Sequence, residues 1–77
     1  MPKLPRVSGV RIIRALERLG FFQIRQRGSH VVLRKETLDG VIGCVVPLHR
    51  EVKVGTLQSI LNQAQVTNAE FMAALND

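Results

Sequence analysis

The chain has 77 residues, 45% hydrophobic and 22% charged, with a formal net charge of +5; this length holds one domain, 1–77, and this balance belongs to a folded globular protein rather than a disordered one. The longest nearly apolar run, Val41 to Leu48, is far short of the roughly 20 residues that a membrane span requires, and Met1-Pro2-Lys3 leads into no signal-peptide core. The single cysteine, Cys44, excludes an internal disulfide, and no Cys/His cluster has zinc spacing, so the expectation is a cytoplasmic protein with no membrane partner, no metal and no cofactor.

Ser8 is a favoured helix N-cap, and Ile12, Ile13, Leu16 and Leu19 recur at helical spacing up to Gly20, a favoured stop, which predicts a helix over 9–19. Arg11, Arg14 and Arg18 share the opposite side of that wheel and are expected to face solvent as a basic stripe. From Phe21 to Arg27 the period shortens to two, which predicts a strand with Phe22 and Ile24 on one side and Gln23, Arg25 and Arg27 on the other. Gly28 permits a tight reversal, and Ser29 to Lys35 read as a second strand with Val31 and Leu33 toward the core and His30, Val32 and Arg34 outward. Glu36-Thr37-Leu38-Asp39-Gly40 reads as a turn. Val41 to Val46, apolar throughout, reads as a strand covered on both sides or central in a small sheet, and Pro47 ends it.

After a loop over 48–54, Leu57, Ile60, Leu61 and Ala64 form one apolar helical face with Gln58, Asn62 and Gln63 away from it. Thr67 followed three residues later by Glu70 is a capping box, which predicts a short last helix turning Phe71, Ala74 and Leu75 inward. The order of helix, three strands and two helices predicts an α+β fold: a three-stranded antiparallel sheet with helices packed on one face and solvent on the other.

Charge is unevenly spread. Residues 1–35 hold nine of the eleven Lys and Arg but only one of the six acidic residues, Glu17. Arginine predominates there, and its planar fork of donors suits phosphate oxygens, so a polyanion such as nucleic acid is the favoured partner. On the predicted sheet, Arg25, Arg27, His30 and Arg34 share the uncovered face around Gly28. RNA carries its own nucleophile, the 2′-hydroxyl, so cleaving it needs a base for that proton, an acid for the leaving 5′-oxygen and cations for the phosphorane charge. His30 is the candidate base. Ser29 could donate to a phosphate oxygen or cap the turn, His49 lies in a loop where a polar ring costs nothing, and Cys44 reads as a small buried hydrophobe. No GxSxG, Walker A, Rossmann glycine pattern or carboxylate pair is present, which removes support for the common hydrolase and nucleotide-binding classes. A lone histidine at a strand start is more often structural than catalytic, so these residues leave open both a ribonuclease and a non-catalytic module that binds double-stranded RNA by shape.

The residues also carry a resemblance. Lys3-Leu4-Pro5-Arg6-Val7-Ser8-Gly9, Ala15-Leu16-Glu17-Arg18-Leu19-Gly20-Phe21 and Gln26-Arg27-Gly28-Ser29-His30 are similar in order and spacing to the N-terminal half of the HicA-like toxins of prokaryotic toxin–antitoxin pairs. Val46-Pro47-Leu48-His49, Gly55-Thr56-Leu57, Ser59-Ile60-Leu61, Ala64 and Glu70-Phe71 are similar to its second half. The resemblance implies a fold like that of double-stranded-RNA-binding domains and cleavage of messenger RNA that arrests translation; a histidine base and arginines would do this without metal. It assigns catalysis to the histidine of the Gly-Ser-His element, here His30. Beside it, the cationic sheet face makes Arg25, Arg27, Gly28 and Arg34 the expected RNA-binding set, with Ser29 and His49 as possible auxiliaries. The resemblance also implies a HicB-like antitoxin as partner, the chain being monomeric when free and part of a larger hetero-oligomer when neutralised. Gln65 departs from the pattern, where many relatives have glycine.

Overall fold

Six elements follow one another along residues 3–76, which the computed structural model describes: α1 Gly9–Arg18, β1 Phe22–Arg27, β2 His30–Thr37, β3 Gly40–Pro47, α2 Val54–Ala64 and α3 Asn68–Leu75. This is the α+β order that the sequence predicts. Met1 and Pro2 of the opening tripeptide, and Asp77, lie outside the described residues.

The Ser8 hydroxyl caps α1 by accepting the Arg11 backbone N–H at 3.2 Å, a contact of a kind that contributes about 1 kcal/mol. Helix α1 buries Ile12, Ile13, Ala15 and Leu16. Its basic stripe is not wholly given to solvent as expected: Arg18 Nη1 donates to the Ala74 carbonyl at 2.9 Å, across the α1–α3 contact. The last carbonyls of a helix lack internal partners and carry partial negative charge, so a guanidinium within reach is drawn to them.

The three strands pair antiparallel in the order β1-β2-β3. Strand β2 is therefore the central one, and β3 is an edge strand with one open face, not the central or doubly covered strand that its apolar run implied. Cys44 and Val46 turn inward and are buried, while Val41 and Val45 remain 60% and 41% exposed. A sheet this small lacks the layers to cover both faces, and single exposed valines are ordinary.

Strand β1 departs further from simple alternation. Its register shifts between Gln23 and Arg25, a β-bulge at Ile24, so Phe22 pairs with Arg34 and Gln23 with the fully buried Leu33. Cross-strand partners lie on the same face. Gln23 is thus on the helix-covered side and Phe22 on the open side, the reverse of the alternation read from the sequence. Phe21, just before the strand, enters the core in place of Phe22, with the Lys35 ammonium 5.8 Å from its ring centroid.

Helices α2 and α3 close the core with Leu57, Ile60, Leu61, Ala64, Phe71, Ala74 and Leu75, and no buried side chain among the described residues is polar or charged. The predicted capping box forms: the Glu70 N–H donates to Thr67 Oγ1 at 3.1 Å and the Thr67 N–H to Glu70 Oε1 at 2.9 Å, which holds the Glu70 carboxyl below its ordinary range. Gln65 ends α2 in the left-handed region at φ 56°, the one such residue besides glycine among the described residues. That conformation costs a side-chain-bearing residue roughly 1–2 kcal/mol, while glycine loses more chain entropy on folding. Gln65→Gly is therefore expected to stabilise the protein by about 0.5–1 kcal/mol and raise Tm by several degrees in a thermal melt; an unchanged or lower Tm would mean that the turn stores no strain. Among the described residues no helix is long and apolar enough to cross a membrane.

Candidate nucleic-acid interface

The open face of the sheet is built in three rows by the strand register. Arg27 and His30 stand side by side on β1 and β2 with the buried Pro47 as their partner on β3; Arg25, Val32 and Val45 form the next row; Phe22, Arg34 and Gly43 form the third. His30, Val32 and Arg34 share this face because they alternate along β2 with Val31 and Leu33, which are buried beneath the helices. The candidate residues of the sequence reading, Arg25, Arg27, His30 and Arg34, are therefore together, all exposed. At about 3.3 Å per strand residue, His30 and Arg34 are roughly 13 Å apart along β2.

The hairpin that carries His30 is fixed from below. Gly28 takes φ +55° at the first central position of the two-residue turn, Ser29 occupies the second, and only the first has positive φ, which is the pattern of a II′ turn matched to the twist of the strands. The Gln26 side-chain amide donates to the Gly28 carbonyl at 2.9 Å. A Cβ at Gly28 would meet nothing within 4 Å, so the turn tip is open to a ligand and glycine is set by backbone geometry rather than by crowding.

Backbone contacts bring the third segment to the same end. The Leu48 N–H donates to the Ser29 carbonyl at 2.6 Å, extending the β2–β3 pairing past Pro47, and the Gly9 N–H donates to the His49 carbonyl at 2.9 Å. A Cβ on Gly9 would overlap the Pro47 carbonyl, so the start of α1 sits directly on the end of β3. Ser29, His30 and the 47–49 segment thus form one corner of the sheet, with the Ser29, His30 and His49 side chains exposed. His30 stands on a paired strand, whereas His49 stands on a loop held through its backbone.

The face is electropositive and unneutralised. The one ion pair among the described residues joins the exposed Arg6 and Glu51 at 3.3 Å, so Arg25, Arg27 and Arg34 are in none. The acidic residue on the same face of β2, Glu36, lies at the far end from His30. Cys44 is on the other side of the sheet, buried, and burial pushes its thiol up to about 11, so it is an apolar filler rather than a nucleophile. Among the described residues no group of three His, Cys, Asp or Glu side chains is placed to hold a metal ion.

Sequence reasoning missed Phe22, an exposed aromatic on this cationic face. The signal that moves it there is the bulge at Ile24, and a one-residue slip in alternation leaves no compositional trace.

Comparison with known families matches residues 9–66 to a family described as the HicA toxin of bacterial toxin–antitoxin. That span runs from the first residue of α1 through the whole sheet and α2, and includes Gly28-Ser29-His30; α3 lies beyond it. No curated protein matches the chain.

Proposed function

Since the chain belongs to the HicA toxin family of bacterial toxin–antitoxin systems, we propose that it acts on the messenger RNA of its own cell as a metal-independent endoribonuclease, with His30 as general base. Family membership makes it the toxin of such a pair and implies an antitoxin partner. In this proposal a HicB-like antitoxin neutralises it in the cytoplasm, and the free toxin is a monomer.

The observation that carries the reading is His30 held in strand register beside Arg27, on an open face with three guanidiniums in no ion pair. In the proposed reaction the imidazole of His30 takes the 2′-hydroxyl proton as the 2′-oxygen attacks the adjacent phosphorus. The bond from phosphorus to the 5′-oxygen breaks, and that oxygen receives a proton from an acid. The products are a 2′,3′-cyclic phosphate and a 5′-hydroxyl end. His49, brought to the same corner by the backbone contacts of Gly9 and Leu48, is the candidate acid. Ser29 donates to a phosphate oxygen in this proposal, and Gly28 lets the backbone approach the RNA strand closely. Arg25, Arg27 and Arg34 hold successive phosphates and offset the phosphorane charge.

Two experiments test this reading. In the first, the protein meets a long unstructured RNA and a duplex of the same sequence on one gel. Product bands from the single strand support the ribonuclease, whereas retention of the duplex with no loss of full-length RNA would identify a non-catalytic binding module. In the second, Arg25→Ala, Arg27→Ala and Arg34→Ala are each expected to weaken binding across sequences and lower the salt slope by about 0.7, the value for one phosphate contact on a single strand. A slope unchanged in all three would remove these residues from the interface.

A further inference from the structure

Of the three phenylalanines, Phe21 and Phe71 are buried, and the chain has no Trp or Tyr. Phe22, 43% exposed, is therefore the only one of these aromatic rings at the surface, and it lies on the open cationic face. Scattered exposed apolar residues are ordinary, but the setting of this one is not. It stands opposite Arg34 and one position along the face from Arg25, with the bulge between them. Without the bulge, strict alternation would put Phe22 and Arg25 on opposite faces. Strand β1 thus interrupts its ladder at Ile24, and the result is an aromatic ring among the guanidiniums.

Gly43 completes the row beyond Arg34. A Cβ there would touch only the Leu33 carbonyl at 3.6 Å, an ordinary contact, so packing does not demand glycine. A glycine inside a strand weakens it and often marks a close approach by a ligand. Here it leaves the surface beside Arg34 free of side chains. Flat apolar area, flanking cations and clear space match an unpaired nucleobase with its phosphates. Bases in a duplex are stacked on each other and present no free face to such a ring.

We infer that Phe22 is a stacking platform for an unpaired nucleobase, flanked by Arg25 and Arg34, which makes the open sheet face selective for single-stranded RNA. This rests on the reading that RNA lies on this face, and it adds the part of the substrate that is recognised. The platform is about 13 Å from the His30 row, a span of roughly four stacked nucleotides or fewer extended ones. The recognised base therefore lies a few nucleotides to one side of the scissile bond.

The test uses a single-stranded 2′-O-methyl RNA decamer, which has no free 2′-hydroxyl and stays intact, so binding is read without cleavage. Phe22→Ala is expected to weaken binding of this probe by about 5- to 150-fold, the range of one base–aromatic stack, and to leave binding of a 2′-O-methyl duplex unchanged. An abasic residue walked along the decamer should cost the parent affinity at one position and cost Phe22→Ala nothing extra there. Phe22→Trp introduces the only tryptophan in the chain; it should retain affinity, and its fluorescence should be quenched by the decamer but not by the abasic version. Unchanged affinity in Phe22→Ala would overturn the inference. So would equal losses on single strand and duplex, or an effect confined to antitoxin binding. A parent that binds the decamer in this way yet cleaves no RNA would sink the ribonuclease reading and leave the stacking site standing.

Discussion

His30→Ala is expected to slow RNA cleavage by about 10²- to 10⁴-fold, the usual contribution of a positioned general base, while the protein remains folded and binds RNA as the parent does. The fold should tolerate the change. His30 is exposed, its pairing with Arg27 and Pro47 is made by the backbone, and surface substitutions of this kind usually shift stability by no more than about 0.5 kcal/mol. Binding should hold because the guanidiniums that set the salt dependence are untouched. Single-turnover cleavage and the affinity for an uncleavable single strand, measured on one preparation, separate the two effects. The contrast with Arg27→Ala, on the neighbouring strand of the same row, is diagnostic: affinity and salt slope should fall there. A His30→Ala protein that cleaves at the parental rate would move the base elsewhere, with His49 the first residue to examine.

The second large effect concerns a helix outside the family match. Phe71→Ala is expected to cost about 3–5 kcal/mol, the usual loss for truncating a fully buried phenylalanine. A chain of this length has a total stability of roughly 4–12 kcal/mol, so the variant should lose between about a quarter and all of it, with a sharply lowered urea midpoint. Two contacts make α3 part of the core rather than an appendage, the fully buried Phe71 ring and the Arg18 donation to the Ala74 carbonyl, while the capping box fixes where the helix starts. A parental midpoint in Phe71→Ala would show that residues 9–66 fold without α3.

These two expectations draw on different amounts of sequence information. The first and last helices were legible because they carried punctuation as well as periodicity, Ser8 and Gly20 around the first and the Thr67–Glu70 pair before the last, whereas α2, which has no capping side chain, was legible from its apolar face alone. The outward placement of His30 and Arg34 was legible because β2 alternates without interruption against Val31 and Leu33. Strand β1 was not, because a bulge reverses the facing of every residue on one side of it and needs no special residue; Gln23 and Phe22 were exchanged for that reason. Strand β3 misled because its apolar run reflects composition, whereas coverage is decided by how many layers a short chain can supply. The alliance of Arg18 with α3 was invisible because helical spacing gives the side of the wheel and not what the tertiary fold sets against it. At the site, position followed from pattern, but the corner formed by Ser29, His30 and the 47–49 segment depends on backbone bonds between residues far apart in the chain.

The most direct test of the central claim is to incubate the parent protein and a folded His30→Ala variant with a long unstructured RNA in EDTA and to determine the chemistry of the product ends. Cleavage by the parent alone is expected, with 2′,3′-cyclic phosphate and 5′-hydroxyl termini; equal cleavage by both proteins, or cleavage by neither, would rule out His30 as the general base of a ribonuclease.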